Sequence, residues 1–209
     1  LFVWPLENGA HNKYVLTKNS HKQLLDCNWL HVSGINLRNS PTRESMIESM
    51  KLCRENNIIV SFDLNLRSEL WGLDDSFRDL VFEAISYSNI IFGNLDEEII
   101  PLFNKNERSL NKYIKKDQIL VCRNGDKGAL AITCDERIKS DATVVKPIDS
   151  VGAGDAFNSG YIYASCVGKN IKESLDIGNL VAAYKLLGSG ARHLPTKQQL
   201  ETFKIKIHK

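Results

Sequence analysis

The chain has 209 residues, of which 43% are hydrophobic and 25% charged, and its formal net charge is +2 at pH 7. These values are ordinary for a folded globular protein and exclude an intrinsically disordered chain. A net charge this small gives no indication of nucleic-acid binding, which usually comes with a clear basic excess. No apolar run reaches the roughly 18 residues that a membrane-spanning helix needs. We therefore expect neither a nucleic acid nor a membrane among its partners.

The spacing of the cysteines and the character of the first residues indicate the cellular compartment that we expect. The five cysteines, at positions 27, 53, 122, 134 and 166, include no Cys-x-x-Cys pair. This spacing disfavours a zinc ribbon or redox motif, and we expect reduced thiols in a cytoplasmic protein. The sequence opens at Leu1 in a strand-like run without the basic and apolar regions of a signal peptide. We expect that N-terminal sequence is missing before it.

Short apolar or β-rich runs recur along the chain and are mostly separated by helical patterns. They predict strands over residues 1–4, 28–33, 58–63, 89–93, 118–123 and 128–133. Longer helices are predicted after Ser40 and after Asp74, and shorter ones over 95–103 and 107–116. Strands that alternate with helices of this length indicate an α/β fold with right-handed βαβ units and a mostly parallel sheet.

The pattern changes after about residue 118. Two apolar strands are joined by Asn124-Gly-Asp-Lys-Gly128, which predicts a hairpin turn. Residues 143–146 are predicted as one more strand. From Gly152 onward the pattern is helical, with helices expected over 154–167, 171–187 and 196–207.

The stretch Asp149-Ser-Val-Gly-Ala-Gly-Asp155 carries the clearest chemical signal, because it follows a predicted strand and opens a helix. Its glycines allow backbone amides to converge on one point, and a helix N-terminus favours an anion. A carboxylate at Asp155, beside a bound phosphate, is explained if it takes a proton from an attacking hydroxyl. The alternative is a glycine-rich turn with Asp155 as an ordinary helix-start residue. The chain has no GxxxxGK[ST] string, so a Walker-type phosphate loop is excluded.

This stretch resembles the C-terminal signature of the ribokinase-like (PfkB-type) carbohydrate kinases, D-T-x-G-A-G-D-x-F, with Ser150 in place of the common threonine. The resemblance is closest to the 2-keto-3-deoxygluconate kinase and fructokinase branch. It implies that Asp155 is the catalytic base. It also implies that the backbone of Gly152, Ala153 and Gly154 forms an anion hole for the transferred phosphoryl group.

Further matches to the same family imply nucleotide and metal binding. Asn94 and Glu97 resemble the N-x-x-E motif, which implies that they help to organise Mg²⁺ indirectly, through water. The alternative is a strand end followed by an acidic helix start. Gly125 resembles the glycine of a turn near the ATP phosphates, and Asp149 would lie beside the nucleotide. Asn179 resembles a helical asparagine beside the adenine, although a hydrogen-bonded core asparagine is an equal alternative.

On the acceptor side, the segment from Phe62 to Trp71 resembles the D-x-N-x-R...LW segment of the same branch. It follows a predicted strand, and open α/β sheets bind ligands at the carboxyl ends of their strands. The resemblance implies that the substrate site is lined by Asp63, Asn65 and Arg67. A salt-bridged loop is the alternative. Ser33-Gly34, at the end of an earlier strand, is a weaker candidate for the floor of this site.

The resemblance implies a ribokinase-like three-layer α/β/α sandwich with a mostly parallel central sheet and a small β lid, whose N-terminal part is missing here. Residues 1–18 would be a partial lid with return strands, and residues 19–209 the α/β kinase core. The implied activity is ATP-dependent phosphorylation of a primary hydroxyl of a sugar or keto-sugar acid. The implied cofactors are ATP and Mg²⁺, with a monovalent cation such as K⁺ near residues 191–193.

Two alternatives remain open. The chain could be a catalytically impaired member that binds a nucleotide or sugar, or a kinase of a nucleoside-like alcohol. Lids of this family often pair, so a homodimer through the lid is also implied.

Overall fold

The structure, a computed structural model, describes residues 9–207. The chain divides into two compact units, residues 1–120 and residues 121–209. Within residues 9–207, no helix combines the length and apolar character needed to cross a membrane. Two of the five cysteines, Cys53 and Cys122, are buried.

The first unit is built on parallel strands that pair in chain order, namely β1 (Trp29–Ser33), β2 (Ile59–Asp63) and β3 (Ile90–Asn94). Its α-helices are α1 (Lys18–Leu25), α2 (Thr42–Glu55), α3 (Ser68–Trp71), α4 (Asp75–Ser86) and α5 (Ile100–Phe103). Helix α2 connects β1 to β2, and α4 connects β2 to β3. The predicted parallel βαβ units are therefore confirmed in this unit.

The core of the first unit follows from the apolar pattern of its sequence. Strands β2 and β3 are buried on both faces for most of their length, as expected for parallel strands between helices. Helix α2 turns Met46, Met50 and Cys53 inward, all at most 3% exposed, because they recur at helical spacing. Helix α4 begins after Asp74, as predicted, and the Asp74 carboxylate caps it by accepting a hydrogen bond from the Phe77 amide at 2.8 Å.

The predicted lid segment, residues 1–18, is described only in part. Residues 1–8, including the predicted strand over 1–4, lie outside the described residues. Between residue 9 and the start of α1, the chain forms a short 3-10 helix, Ala10–Asn12, and then an extended segment without strand pairing. The Tyr14 amide donates to the Thr42 hydroxyl at 3.0 Å, and the Leu16 amide to the Ser45 hydroxyl at 3.1 Å. This segment is therefore attached to α2, and the division at residue 18 stays a prediction.

The strands of the second unit are β4 (Ile119–Arg123), β5 (Ala129–Ile132) and β6 (Arg137–Ser140), and β4 begins just before the unit boundary. Its helices are α6 (Ala153–Cys166), α7 (Ile171–Leu186) and α8 (Lys197–Ile207). The predicted turn between β4 and β5 is confirmed, since the Asn124 amide donates to the Gly128 carbonyl at 2.8 Å. Gly128 has a φ of +86°, and a Cβ there would lie only 2.1 Å from the Ser140 carbonyl oxygen. Glycine is therefore required at this position.

The prediction of a strand over residues 143–146 is wrong, and a strand that was not predicted lies just before it. Strand β6 pairs antiparallel with β5, from Ala129 opposite Ser140 to Ile132 opposite Arg137. Residues 143–146 form an irregular loop in which Val144 is 86% exposed. The apolar residues of this loop mimic a strand pattern, although they have no neighbouring strand to pack against.

Helices α6 and α7 are packed closely because each carries a glycine at the contact. A Cβ on Gly160 would lie 2.9 Å from Val181, and a Cβ on Gly178 would lie 2.9 Å from the Phe157 ring. Close approach of this kind needs residues without a side chain. It fixes α6, whose N-terminus carries the motif 149–155.

Candidate active site

The predicted turn at Gly152 is confirmed as the N-terminus of α6. Gly152 is the N-cap residue with a φ of +81°, and the Ala153 amide donates to the Ser150 carbonyl at 3.1 Å. The first bond of the helix itself runs from the Ala156 amide to the Gly152 carbonyl, at 2.9 Å. The amides of Gly154 and Asp155 therefore belong to the first turn, whose N–H groups have no acceptor within a helix. Such amides, at the positive end of the helix dipole, can bind an anion.

The side chain of Asp155 is exposed on this first turn. Asp155 belongs to the same first turn as the amides described above. The geometry of the predicted turn is therefore present, while the roles of Gly152, Ala153, Gly154 and Asp155 stay predictions.

Arg123, the last residue of β4, places a positive charge next to the same turn. Its guanidinium carbon lies 3.4 Å from the position that a Cβ on Gly154 would take. Its Nη1 donates to the Oδ1 of buried Asn158 at 2.7 Å. Sequence reasoning missed Arg123 and Asn158 as members of the site. The available signal was a cation directly before the Asn124–Gly128 turn.

Asp149 organises the backbone that leads into the turn. Its carboxylate accepts hydrogen bonds from the Val151 amide at 2.9 Å and from the Gly190 amide at 2.7 Å. The Val151 bond, followed by the Gly190 bond and the nearby charge of Lys185, lowers the pKa of Asp149 from its ordinary value. Asp149 is therefore held as an anion that ties two loops together. Its predicted place beside a nucleotide stays a prediction.

The remaining nucleotide-binding candidates of the second unit differ in their surroundings. Gly125 begins a 3-10 turn in the left-handed region, with a φ of +56° and open space where a Cβ would stand. Asn179 is only 8% exposed, and its side-chain nitrogen donates to the Ser140 hydroxyl at 2.8 Å and to the Asp141 carbonyl at 3.1 Å. These contacts favour the interpretation of Asn179 as a hydrogen-bonded core asparagine over a contact with adenine.

In the first unit, the predicted substrate residues lie at the carboxyl end of β2. Asp63 is buried, Asn65 donates from its Nδ2 to the Ser33 hydroxyl at 3.0 Å, and Arg67 is exposed. Asn65 and Arg67 both adopt left-handed backbone conformations, with φ values of +37° and +49°. Such conformations are uncommon and energetically unfavourable for residues other than glycine, and they concentrate at functional sites. The substrate-binding roles of Asp63, Asn65 and Arg67 stay predictions.

This strained loop is held by two side chains that sequence reasoning missed. The Glu98 carboxylate accepts the Leu66 amide through Oε1 and the Asn94 amide through Oε2, both at 2.8 Å. Arg38 donates to the Leu66 carbonyl at 2.7 Å and to the Gly72 carbonyl at 3.0 Å. The Arg38 guanidinium also lies over the ring of Phe77, 3.4 Å from its centre. The loop is thus bound on both sides of Arg67.

The predicted pair Asn94 and Glu97 forms the start of a π-helical turn, Leu95–Ile99. The Asn94 side-chain oxygen accepts the amides of Asp96 and Glu97, both at 3.0 Å. Glu97 has an exposed side chain. Among residues 9–207, no cluster of three or more His, Cys, Asp or Glu side chains could hold a metal ion directly. An exposed carboxylate at Glu97 fits contact with a hydrated Mg²⁺ through water, and this role stays a prediction.

Comparison with known proteins gives a consistent picture. Residues 5–198 match the family described as pfkB family carbohydrate kinase. The chain is 28% identical over 178 residues to a 5-dehydro-2-deoxygluconokinase of Listeria innocua, and 30% identical over 184 residues to an aminoimidazole riboside kinase of Salmonella typhimurium. These alignments cover 82% and 84% of this chain, but only 55% and 57% of the two relatives. The chain therefore spans little more than half the length of the curated relatives that it matches.

A solved structure supports the predicted fold. The fructokinase of Vibrio cholerae, crystallised in a form with bound fructose, ADP and calcium ion, is similar with a TM-score of 0.75 and 29% identity. The similarity covers 84% of this chain and 60% of the fructokinase chain. The predicted ribokinase-like α/β fold class is thereby confirmed.

Proposed function

Since this chain belongs to the pfkB family of carbohydrate kinases, we propose that it carries the core of an ATP-dependent kinase. The reaction transfers the γ-phosphoryl group to a primary hydroxyl of a sugar or keto-sugar acid. One observation supports this reaction above the others. The exposed carboxylate of Asp155 stands on a helix N-terminus whose first-turn amides are available to an anion, with the Arg123 guanidinium next to Gly154.

The chemistry follows from the groups at this turn. The amides of Gly154 and Asp155 and the charge of Arg123 stabilise the negative charge on the phosphoryl oxygens during transfer. Asp155 accepts the proton of the attacking hydroxyl. Phosphoryl transfer passes through a loose transition state, so positioning and electrostatics contribute more than the strength of the base. An ordinary carboxylate is therefore sufficient. The ATP phosphates would also contact the turn at Gly125.

Acceptor binding is proposed for Asp63, Asn65 and Arg67. The planar guanidinium of Arg67 suits a carboxylate or a phosphoryl oxygen, which it can bind with two parallel hydrogen bonds. When bound, Mg²⁺ would neutralise phosphate charge, and Asn94 and Glu97 would contact it through water. The proposal also includes a monovalent cation near residues 191–193. It further includes a homodimer formed through paired lids.

A second candidate is a kinase of a nucleoside-like alcohol. It is favoured by the relative of Salmonella typhimurium, whose name specifies aminoimidazole riboside and which is 30% identical to this chain. Assays with fructose, a keto-sugar acid and a riboside separate the two candidates by the acceptor that is phosphorylated. Binding of ATP without phosphorylation of any acceptor would support the catalytically impaired alternative.

The proposed base is tested by Asp155→Asn, which keeps the shape of the side chain but removes its ability to accept a proton. We expect kcat to fall by about 10²–10⁴-fold, the usual contribution of general acid–base catalysis, with little change in ATP affinity measured by calorimetry. Asp75→Asn is the matched control, because Asp75 is also an exposed carboxylate in the first turn of a helix. Turnover of Asp155→Asn close to that of the unmodified chain would remove Asp155 from this role.

A further inference from the structure

Lys185 in α7 is a buried cation that the proposed reaction does not yet use. Its side chain is 0% exposed, and its ammonium donates to the backbone carbonyl of Asp149 at 2.7 Å. One carboxylate oxygen of Asp149 lies 3.9 Å from the same ammonium. Lysine is almost never fully buried without a partner, because removing an ammonium from water is costly. A buried lysine next to the motif 149–155 therefore calls for a specific role.

The C-terminal end of α7 and the loop after it hold the segment that leads into the turn. The Ile148 amide donates to the Leu186 carbonyl at 2.7 Å, and the Gly190 amide donates to the Asp149 carboxylate at 2.7 Å. Ala191 lies against Gly152, where a Cβ would come within 3.0 Å of the Ala191 methyl group. Lys185 adds a contact from a positively charged side chain of α7. The set fixes the entry to α6 from residue 148 to residue 152.

We propose that Lys185 is a positioning residue for the anion-binding turn. Its ammonium fixes the Asp149 carbonyl and balances the Asp149 charge, so that the backbone from Asp149 to Gly152 directs the Gly154 and Asp155 amides to one point. This inference rests on the proposed function, because it assigns Lys185 a role in binding the phosphoryl group there. Lys185 acts through Asp149 and contacts neither substrate.

A positioning role and a purely stabilising role predict different results for Lys185→Met. Methionine fills a similar volume without a charge, and removing one partner of an ion pair is costly only where the remaining charge stays buried. The Asp149 side chain is 25% exposed, so water can still solvate it. The variant is therefore expected to fold with a Tm near that of the unmodified chain, while the turn at 149–155 loses its fixed geometry.

Hydrogen exchange measured by mass spectrometry tests this directly on the full chain. In Lys185→Met, we expect amides of residues 149–155 to exchange about 10-fold faster or more, as for a lost hydrogen bond to a charged group, with β5 unchanged. The affinity for the ATP analogue AMP-PNP should fall by a similar factor. Lys172→Met is the matched control, because Lys172 lies on the same helix but its half-exposed ammonium pairs with Asp176. In Lys185→Ala, added methylammonium should restore slow exchange at 149–155.

The proposal is overturned if Lys185→Met leaves exchange at 149–155 and AMP-PNP affinity unchanged, or if exchange accelerates equally throughout the second unit. If Lys185→Met does not fold, Lys185→Gln takes its place, because it retains a donor without the charge. Failure of both to fold would also overturn the proposal, since Lys185 would then serve the whole fold. Exchange does not depend on turnover, so a chain without kinase activity refutes the proposed function and still tests this inference.

Discussion

Gly34 offers a sharp test of how the acceptor side is built. It directly follows β1, and a Cβ at this position would lie 2.0 Å from the carbonyl oxygen of Leu64 and 3.0 Å from its carbonyl carbon. Leu64 has little freedom to move away, because its amide donates to the Phe92 carbonyl at 2.8 Å and its side chain is fully buried. In Gly34→Ala, the end of β1 and the loop that carries Asn65 must therefore separate.

The expected cost of Gly34→Ala follows from this overlap. Overpacking typically destabilises by about 1–3 kcal/mol, and a clash with backbone lies at the upper end of that range. Alanine also lowers the conformational entropy of the unfolded chain, which offsets about 0.4–1 kcal/mol of this cost. The net decrease in the free energy of unfolding is therefore about 2–3 kcal/mol. For a chain of this size, 1 kcal/mol lowers Tm by about 2–4 °C. We therefore expect Tm to fall by about 4–12 °C.

Tryptophan fluorescence during thermal unfolding measures this decrease in Tm, because it reports on the first unit. All three tryptophans of the chain lie within residues 1–120, which form the first unit. Gly72→Ala is the control, because Gly72 has a φ of +70° with nothing within 4 Å of its Cβ position. Gly72 has a ψ of 179°, a conformation essentially restricted to glycine, so that variant carries a backbone cost of about 1–3 kcal/mol without any clash. A Tm of Gly34→Ala equal to that of the unmodified chain would refute the close contact with Leu64.

Two further predictions concern the second unit. Gly152→Ala should lower Tm more than Gly168→Ala, because both glycines are left-handed but only Gly152 has a neighbour, Ala191, at its Cβ position; equal shifts, measured by circular dichroism, would contradict that contact. Hydrogen bonds lower the pKa of Asp149 in the folded chain. The contribution of its carboxylate to the stability of the folded chain is therefore complete above the unfolded-state pKa of about 3.9. It is lost as the pH falls through the lower pKa of the folded state. The Tm difference between the unmodified chain and Asp149→Asn should therefore be largest near neutral pH and shrink below about pH 4; a difference that stays constant down to pH 2.5 would contradict the assigned bonds.

The parts of the fold that could be predicted from sequence are those in which one residue pattern has one physical interpretation. The spacing of Met46, Met50 and Cys53 specifies a helix face, and the glycines around Asp155 specify a turn at a helix N-terminus. Strand β6 could not be predicted in this way. Two of its four residues are exposed and one is buried, so they present no apolar face, and only their pairing with the buried strand β5 makes them a strand. That information lies in the partner strand.

The site shows a similar limit. Glu97 and Glu98 are adjacent in sequence, and the family motif favours Glu97, yet the carboxylate that binds the Leu66 and Asn94 amides belongs to Glu98. The π-helical turn over Leu95–Ile99 sets which carboxylate faces inward, and this turn has no clear sequence signature. Arg38 was missed for a related reason, since its contacts with the Leu66 carbonyl span 28 positions of the chain.

The left-handed residues Asn65 and Arg67 have a consequence for how acceptor preference can change. Leu66, which lies between them, is held by Glu98 and Arg38 from other segments of the chain. Under the proposed acceptor role, substitution of the exposed Arg67 by another residue that tolerates a positive φ would alter the chemical groups offered to an acceptor while these supporting contacts stay in place. A single scaffold of this kind can diversify among related small molecules through very few mutations, with the supporting residues kept constant.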